Sequence, residues 1–220
     1  MCGRYELSCN AADLDEHFGE IVPGQQWEPL VSSASYNIAP SQQCLVIRKH
    51  KDDTAVERII WGFRPHWAKK SWINARAETV FSIPAFKQSA MKRRCLVPAS
   101  GWYEWQGSKP KRQPYHIHLP DRGVFAFAGV WTARKVDEEW EISFAILTME
   151  ALGAMREIHH RMPVVLDPLH YKEWLSPDTE APQTLLGTTP YLELASFPVS
   201  TFVNDPKNDS PRCAEEQKGL

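Results

Sequence analysis

The chain contains no C-x-x-C pair, no apolar run long enough to span a membrane, no internal repeat and no composition break that would act as a linker. Each absence removes a class of protein. The five cysteines, at positions 2, 9, 44, 95 and 213, form an odd set without paired spacing, and no apolar leader precedes them. This argues against a disulfide-stapled secreted scaffold, so reduced thiols in a cytosolic compartment are expected. Neither H-E-x-x-H nor a Cys/His pairing occurs, so His116, His118, His159 and His160 give only weak ground for a metal site. No metal and no cofactor are expected. The formal charge is only −2, which supplies no overall attraction to nucleic acid; any such binding must rest on a local basic patch. No transmembrane helix is expected.

What is present is an ordinary globular composition with one excess. The 220 residues are 43% hydrophobic and 24% charged, enough for one sizeable core. Nine tryptophans are many; most belong in a core, while some can act as stacking platforms for exposed bases. Residues 44–49 and 55–61 read as paired strands about a polar turn at Asp52 and Asp53. Residues 95–98, 102–105, 115–119, 124–131, 141–148, 164–166 and the region 192–200 add further strands. A turn holding Gly107, Lys109, Pro110 and Lys111 and a charged connection over 134–139 separate some of them. Asn10 is placed to cap a helix over 11–18, Pro84 to open one running to Arg93, and Asp167-Pro168 to open one ending near Leu175. The expected class is α+β, a β-rich single domain of short antiparallel strands in barrel-like sheets with a few short helices. That domain is expected over residues 1–208, with a flexible tail over 209–220.

Four polar clusters can carry chemistry. In Met1-Cys2-Gly3-Arg4 the residue after the initiator is small, so removal of Met1 would leave Cys2 with a free α-amine beside its thiol. Such a pair condenses with an aldehyde to a thiazolidine, and both groups titrate close enough to neutrality (~7.7–8.0 and ~8.5) to react. The ordinary alternative is a retained Met1 and an incidental cysteine. In Asn74-Ala-Arg76-Ala-Glu78 the polar residues form either a capped helix start or a site. Glu104, within Gly101-Trp-Tyr-Glu104-Trp105, is either a desolvated general acid/base or a solvent-facing residue between buried rings. His159 and His160 precede Arg161-Met162-Pro163 in a predicted loop, because Pro163 pushes Met162 toward extended backbone. A histidine there can move a proton near neutral pH.

Taken together in chain order, these clusters resemble the SRAP family, the SOS-response-associated peptidase domain that covalently traps abasic sites in DNA. The resemblance starts at Met1-Cys-Gly-Arg4 and continues through Tyr36-Asn37-Ile-Ala-Pro40 and Trp61-Gly-Phe63 with Pro65 and Trp67. It takes in Ile73-Asn74-Ala-Arg76-Ala-Glu78-Thr79, Cys95-Leu-Val-Pro98, Gly101–Trp105, and Ile158-His159 with Arg161-Met-Pro163. Val199-Ser200, Val203-Asn204 and Lys207-Asn208 complete it, so it runs from residue 2 to about residue 208.

The resemblance implies specific roles. Cys2 would be the nucleophile that forms a thiazolidine with the ring-opened abasic sugar, and Asn74 would orient the amine and the sugar. Glu104 would be the general acid/base of imine formation and reversal, and His159 would protonate the sugar oxygen. Arg4, Arg76 and Arg161 would grip flanking phosphates, while Asn37, Pro40, Trp67 and Thr148 would line the DNA cleft. It further implies an AP lyase activity through the imine, autocatalytic removal of Met1, and single-stranded DNA containing abasic sites as the partner. A cytoplasmic monomer is expected, nucleoid-associated in a bacterium and without membrane contact. The chain departs from the family pattern His-Asp-Arg-Met-Pro at His160, which stands in the Asp position. Two other readings compete with DNA capture: a cysteine peptidase built on Cys2, His159 and Asn74, and a non-covalent nucleic-acid reader.

Overall fold

The structure is a computed structural model, described for all residues except Met1, Ser32, Lys51, Asp52, Lys109, 188–192 and 218–220. In chain order the strands are β1 (Tyr5–Leu7), β2 (Ser35–Ile38), β3 (Gln43–His50), β4 (Asp53–Trp61), β5 (Asn74–Arg76) and β6 (Arg94–Ala99). They continue as β7 (Gly101–Gln106), β8 (Gln113–His118), β9 (Phe125–Val136), β10 (Glu139–Glu150), β11 (Arg161–Pro163) and β12 (Ala195–Pro198). The α-helices are α1 (Ala11–Phe18), α2 (Pro84–Lys92), α3 (Met155–Ile158) and α4 (Tyr171–Leu175).

Five strands close a barrel. β3 pairs with β4 and β6, β6 with β9, and β9 with β10, all antiparallel. β10 then returns to β4 in parallel, with Ser143 opposite Ile60. The second layer is a five-stranded antiparallel sheet in the order β12-β8-β7-β1-β2. A single residue, Ser100, separates barrel strand β6 from sheet strand β7, so the chain crosses directly between layers. Aromatic edge-to-face contacts join them: Tyr5 lies 5.3 Å from Trp61 and 6.0 Å from Phe127, and Trp102 lies 6.0 Å from Phe125 and 5.9 Å from Phe127. The architecture is thus the expected β-rich α+β arrangement, and the barrel strands carry continuous buried runs because their neighbours cover both faces.

Local signals explain the helix starts. Asn10 caps α1 through a reciprocal box: its side chain accepts from the Asp13 amide, and Asp13 accepts from the Asn10 amide. Pro84 occupies the first turn of α2, where its missing N–H costs no helical bond. Asp167 accepts from the Leu169 amide and opens a short 3-10 turn, Pro168–His170, that leads into α4.

Several expectations are revised. The charged stretch 134–139 is mostly strand, because a two-residue turn at Asp137 and Glu138, with φ of 46° and 70°, joins β9 to β10. The expected strand at 164–166 is shifted to β11, leaving only an isolated bridge between Val165 and Phe127. The expectation of a flexible tail does not hold for 209–217. Cys213 is fully buried, residues 211–214 form a 3-10 turn, and Glu216 bridges Val199. Polar composition misled here because the segment is held by backbone hydrogen bonds and one buried cysteine, with little apolar surface of its own. Met1, Asp52, Lys109, Leu192 and residues 218–220, which enter the sequence expectations, lie outside the described residues.

One polar clamp ties the C-terminal segment to the first strands. Arg4 Nη1 donates to Asn37 Oδ1 and to the Val203 carbonyl, each at 2.8 Å. The Asn37 amide nitrogen in turn donates among the carbonyls of Val203, Asp205 and Asn208 at 3.2, 3.1 and 2.6 Å. Replacing Asn37 by Ala would strand several buried acceptors at once, at a cost of about 2–4 kcal/mol. We expect urea unfolding of N37A to show that loss, with limited proteolysis cutting first within 199–217; a loss under about 1 kcal/mol would contradict the clamp.

Candidate active site

The site is built at the amino-terminal end of β1. This strand is flanked on both sides, with Tyr5 opposite Ile38 of β2 and Trp102 of β7. The Arg4 carbonyl accepts from the Tyr103 amide at 3.0 Å. Carrying the Tyr5–Trp102 register back two places sets Gly3 opposite Glu104. The residue before it, Cys2, is therefore delivered inside the fold and is fully buried. Burial pushes its thiol pKa well above the ordinary value, and the neighbouring Glu104 charge adds to the rise.

Glu104 shares its strand face with Trp102, two residues before it, whose indole is wholly inside the core. The carboxyl itself is 4% exposed. Burial pushes its pKa up to about 7, with the positive amino terminus pulling the other way. The reading of Glu104 as desolvated, rather than solvent-facing, is the one the geometry favours.

His159 sits just past α3, its backbone already extended, and its amide donates to the Met155 carbonyl at 3.0 Å. Ring atom Nδ1 lies 3.0 Å from both the amide nitrogen and the carbonyl oxygen of Arg161, so the ring is held by that edge. Burial lowers its pKa, followed by opposing help from the Arg161 carbonyl and then by the positive charges of the amino terminus, His160 and Arg112. The helix is anchored to the sheet by Gln106, whose side-chain amide donates to the Glu157 carbonyl at 2.8 Å. The Glu104 charge acts directly on the Cys2 thiol, so the structure brings these two side chains together.

Asn74 arrives from the barrel. The segment forms strand β5, parallel to β10, with Asn74 opposite Ile146 and Arg76 opposite Thr148; it is not a helix start. The Trp61 indole N–H fixes the preceding carbonyl, that of Ile73, at 2.9 Å. Both the oxygen and the nitrogen of the Asn74 amide are buried without a hydrogen-bond partner among the described residues. Such a group is costly unless a ligand satisfies it.

The expected DNA contacts separate into two sets. Arg4 is consumed by the clamp described above, Asn37 is 1% exposed, and Thr148 is fully buried. Asn37 and Thr148 are thus turned away from solvent, while Arg4 is partly exposed but engaged in the frame. Arg161 is paired in bidentate fashion with Glu78 at 2.6 and 2.9 Å and also donates to the Thr148 carbonyl. Arg76 and Trp67 are exposed and Pro40 is partly so. The sequence reading did not assign a role to Glu78, since 83 positions separate it from Arg161 and no local spacing signals the pair. It also missed the support behind β1. There Glu6 Oε2 meets His116 Nε2 at 2.6 Å in the interior, and any Cβ at Gly101 would lie 2.4 Å from that nitrogen.

Residues 1–206 match the family model for SOS response associated peptidase (SRAP). Among curated proteins, the chain is 36% identical to the abasic site processing protein YoqW of Bacillus subtilis, over 98% of this chain and 99% of that one. It is 30% identical to the abasic site processing protein YedK of Escherichia coli, over 94% and 96%. A crystal structure of a protein from Bacteroides thetaiotaomicron superposes with a TM-score of 0.81 at 23% identity, covering 98% of this chain and all of that one, which supports the fold. No helix among the described residues is long and apolar enough to cross a membrane.

Two outcomes follow from the electrostatics. A Glu104 carboxyl held at about 7 takes up a proton on folding, since its ordinary value is 4.5. Native stability relative to E104Q should therefore fall as pH rises from about 4.5 to about 7, by up to about 3 kcal/mol, and level off above. Parallel denaturation curves across pH 4–9 check this, and a flat difference would show that Glu104 is not desolvated. His160 lies 4.3 Å ring to ring from His159 and depresses it. In H160D the NMR titration of His159 should move to higher pH, and an unchanged or lower midpoint would rule out the coupling.

Proposed function

Because the chain belongs to the SOS-response-associated peptidase (SRAP) family, we propose that it processes abasic sites in single-stranded DNA, capturing them covalently through Cys2. The observation that carries this reading is the register of β1 on β7, which buries Cys2 beside Glu104, a carboxyl that the same burial holds near neutrality.

The chemistry follows from the groups present. Removal of Met1, by hydrolysis of its peptide bond, exposes the Cys2 amine. His159 protonates the furanose oxygen, so that the sugar opens to its aldehyde. The amine adds to that carbon, and Glu104 transfers the protons that let the carbinolamine lose water to give an iminium. The Cys2 sulfur then adds to the same carbon and loses its proton, closing a five-membered ring. One water leaves overall. Holding amine, thiol and aldehyde in one pocket supplies the advantage of an effectively unimolecular reaction. Asn74, whose buried amide lacks a partner, would hydrogen-bond the sugar or the carbinolamine. At the iminium stage, abstraction of the sugar's C2′ proton would instead eliminate the 3′ phosphate, which is the lyase reaction. An unpaired lesion enters without the cost of opening a duplex.

A cysteine-peptidase reading fits less well. Such enzymes act through a thiolate, and here burial and the Glu104 charge both oppose thiolate formation. In thiazolidine formation the amine attacks first, and the thiol need lose its proton only as it closes the ring.

The test is incubation of the purified protein with single-stranded DNA carrying one abasic site, followed by a denaturing gel. A heat- and detergent-stable adduct is expected, absent in C2A and formed about 10²-fold or more slowly in E104Q and H159Q. Intact mass should show the adducted protein without Met1. An adduct that survives C2A, or cleavage of peptide substrates with no adduct, overturns the proposal.

A further inference from the structure

Four tryptophans are buried and three half-buried, but two stand well out of the surface, Trp67 at 56% and Trp140 at 69% exposure. They line one groove, of about 640 Å³, together with Trp131, Arg93, Arg134 and Lys135. Burial in the fold does not explain either ring. Trp67 leans on Trp72 at 5.8 Å, which rests edge-on against Phe86 at 5.7 Å, so the exposed indole is backed by a fixed aromatic column. Trp140 is presented by the β9–β10 hairpin, directly across from Lys135. Trp131 lies under the guanidinium groups of Arg48 and Arg93, 4.4 and 5.6 Å from its ring.

The charge of the groove has one sign. Among the described residues no aspartate or glutamate lines it. Arg134 is paired with Glu141 and Lys135 with Glu138, both partners lying outside the lining. The Lys135 pair is exposed at both ends, so it is worth little and can open toward a phosphate. Among the described residues, the Arg93 guanidinium lies over the Trp131 ring and forms no ion pair. Exposed rings with interleaved cations, free of carboxylates, are the makings of a single-strand stacking platform.

Its position points the same way. Thr148, beside the Arg161 and Arg76 strands, and Trp140 lie on the same continuous strand β10. Eight positions separate them, about 27 Å at the rise of an extended strand. The Trp67 loop is fastened between these points, with the Arg64 amide donating to the Ser143 hydroxyl at 3.0 Å.

We propose that the groove between Trp67 and Trp140 is a second nucleic-acid subsite, in which unpaired bases several nucleotides from the lesion stack on the indoles while Arg93 and Lys135 meet their phosphates. It rests on the reading of the chain as a single-stranded DNA binder. A strand so held has its lesion kept near the reactive residues before any covalent step.

The test separates the subsite from that reading. Using full-length protein, anisotropy titrations compare an abasic oligonucleotide of roughly 6 nucleotides, reduced with borohydride to prevent capture, with one of roughly 20 that extends to both sides. Trp140 is exposed at a hairpin tip, so W140A threatens neither the fold nor the capture residues. W140A is expected to weaken the long strand about 5- to 100-fold, the range for loss of one stacked base, and to leave the short one unchanged. The double variant R93A/K135A should lower the salt dependence for the long strand by about two phosphate contacts. Equal affinity of wild type and W140A for the long strand overturns the subsite, as does an equal loss for both lengths. Sedimentation showing a dimer that W140A dissolves would also overturn it, assigning the groove to a second copy. Failure of wild type to bind either strand would instead sink the proposed function.

Discussion

The double-sided pairing of β1 is the constraint on which the rest of the molecule depends. A three-residue strand would fray alone, yet here β2 and β7 satisfy its backbone from both flanks. Tyr5 then locks one face into the barrel, against Trp61 and Phe127. Glu6 on the other face is held by His116. A strand fixed on four sides leaves its leading residues no freedom to drift. Cys2 is thereby placed in the interior, although it stands so near the start of the chain.

The same pairing creates the chemistry of Glu104. A carboxyl on β7 opposite a short, exposed strand would be hydrated and ionised. Opposite β1, on the face that carries Trp102 into the core, it loses water and titrates near neutrality. The buried thiol and the buried carboxyl then disfavour each other's charge, which keeps at least one proton between them over the physiological range. The proposed reaction, which first donates a proton to release water and later accepts one from sulfur, would need this condition. Stability is given up to obtain it, since a hydrated glutamate would cost the fold nothing.

Much of this was legible in the sequence, and what was not legible has a common cause. The α1 cap, the start of α2 and the long strands β3, β4, β9 and β10 are written in local signals: Asn10 with Asp13, Pro84, and runs of β-branched and aromatic residues. β1, β2 and β5 are only three or four residues long, too short to show a period, and exist because neighbours far along the chain pair with them. The ordered segment 209–217 escaped for the same reason, since Tyr36 and Val199 hold it from a distance. The candidate residues Asn74, Glu104 and His159 stood out as polar groups among apolar neighbours, and the family resemblance alone supplied their expected roles. The supporting pairs did not stand out, because Glu78 for Arg161 and His116 for Glu6 are long-range pairings with no trace in spacing.

Those long-range pairings also limit how the protein can hold DNA. Arg4 is spent on Asn37 and Val203, Arg48 on Glu57, Arg161 on Glu78, and Arg94 on the carbonyls of Trp174, Ala90, Met91 and Ser176. With a formal charge of −2 for the whole chain, no overall field draws DNA in, so the electrostatic part of any DNA affinity rests on local cations and is screened by salt. Ring stacking on exposed indoles and, in the proposed reaction, a covalent bond are terms that salt weakens far less. Arg4, Arg48, Arg94 and Arg161 serve the frame of the fold, while the indoles of Trp67 and Trp140 stay open at its surface.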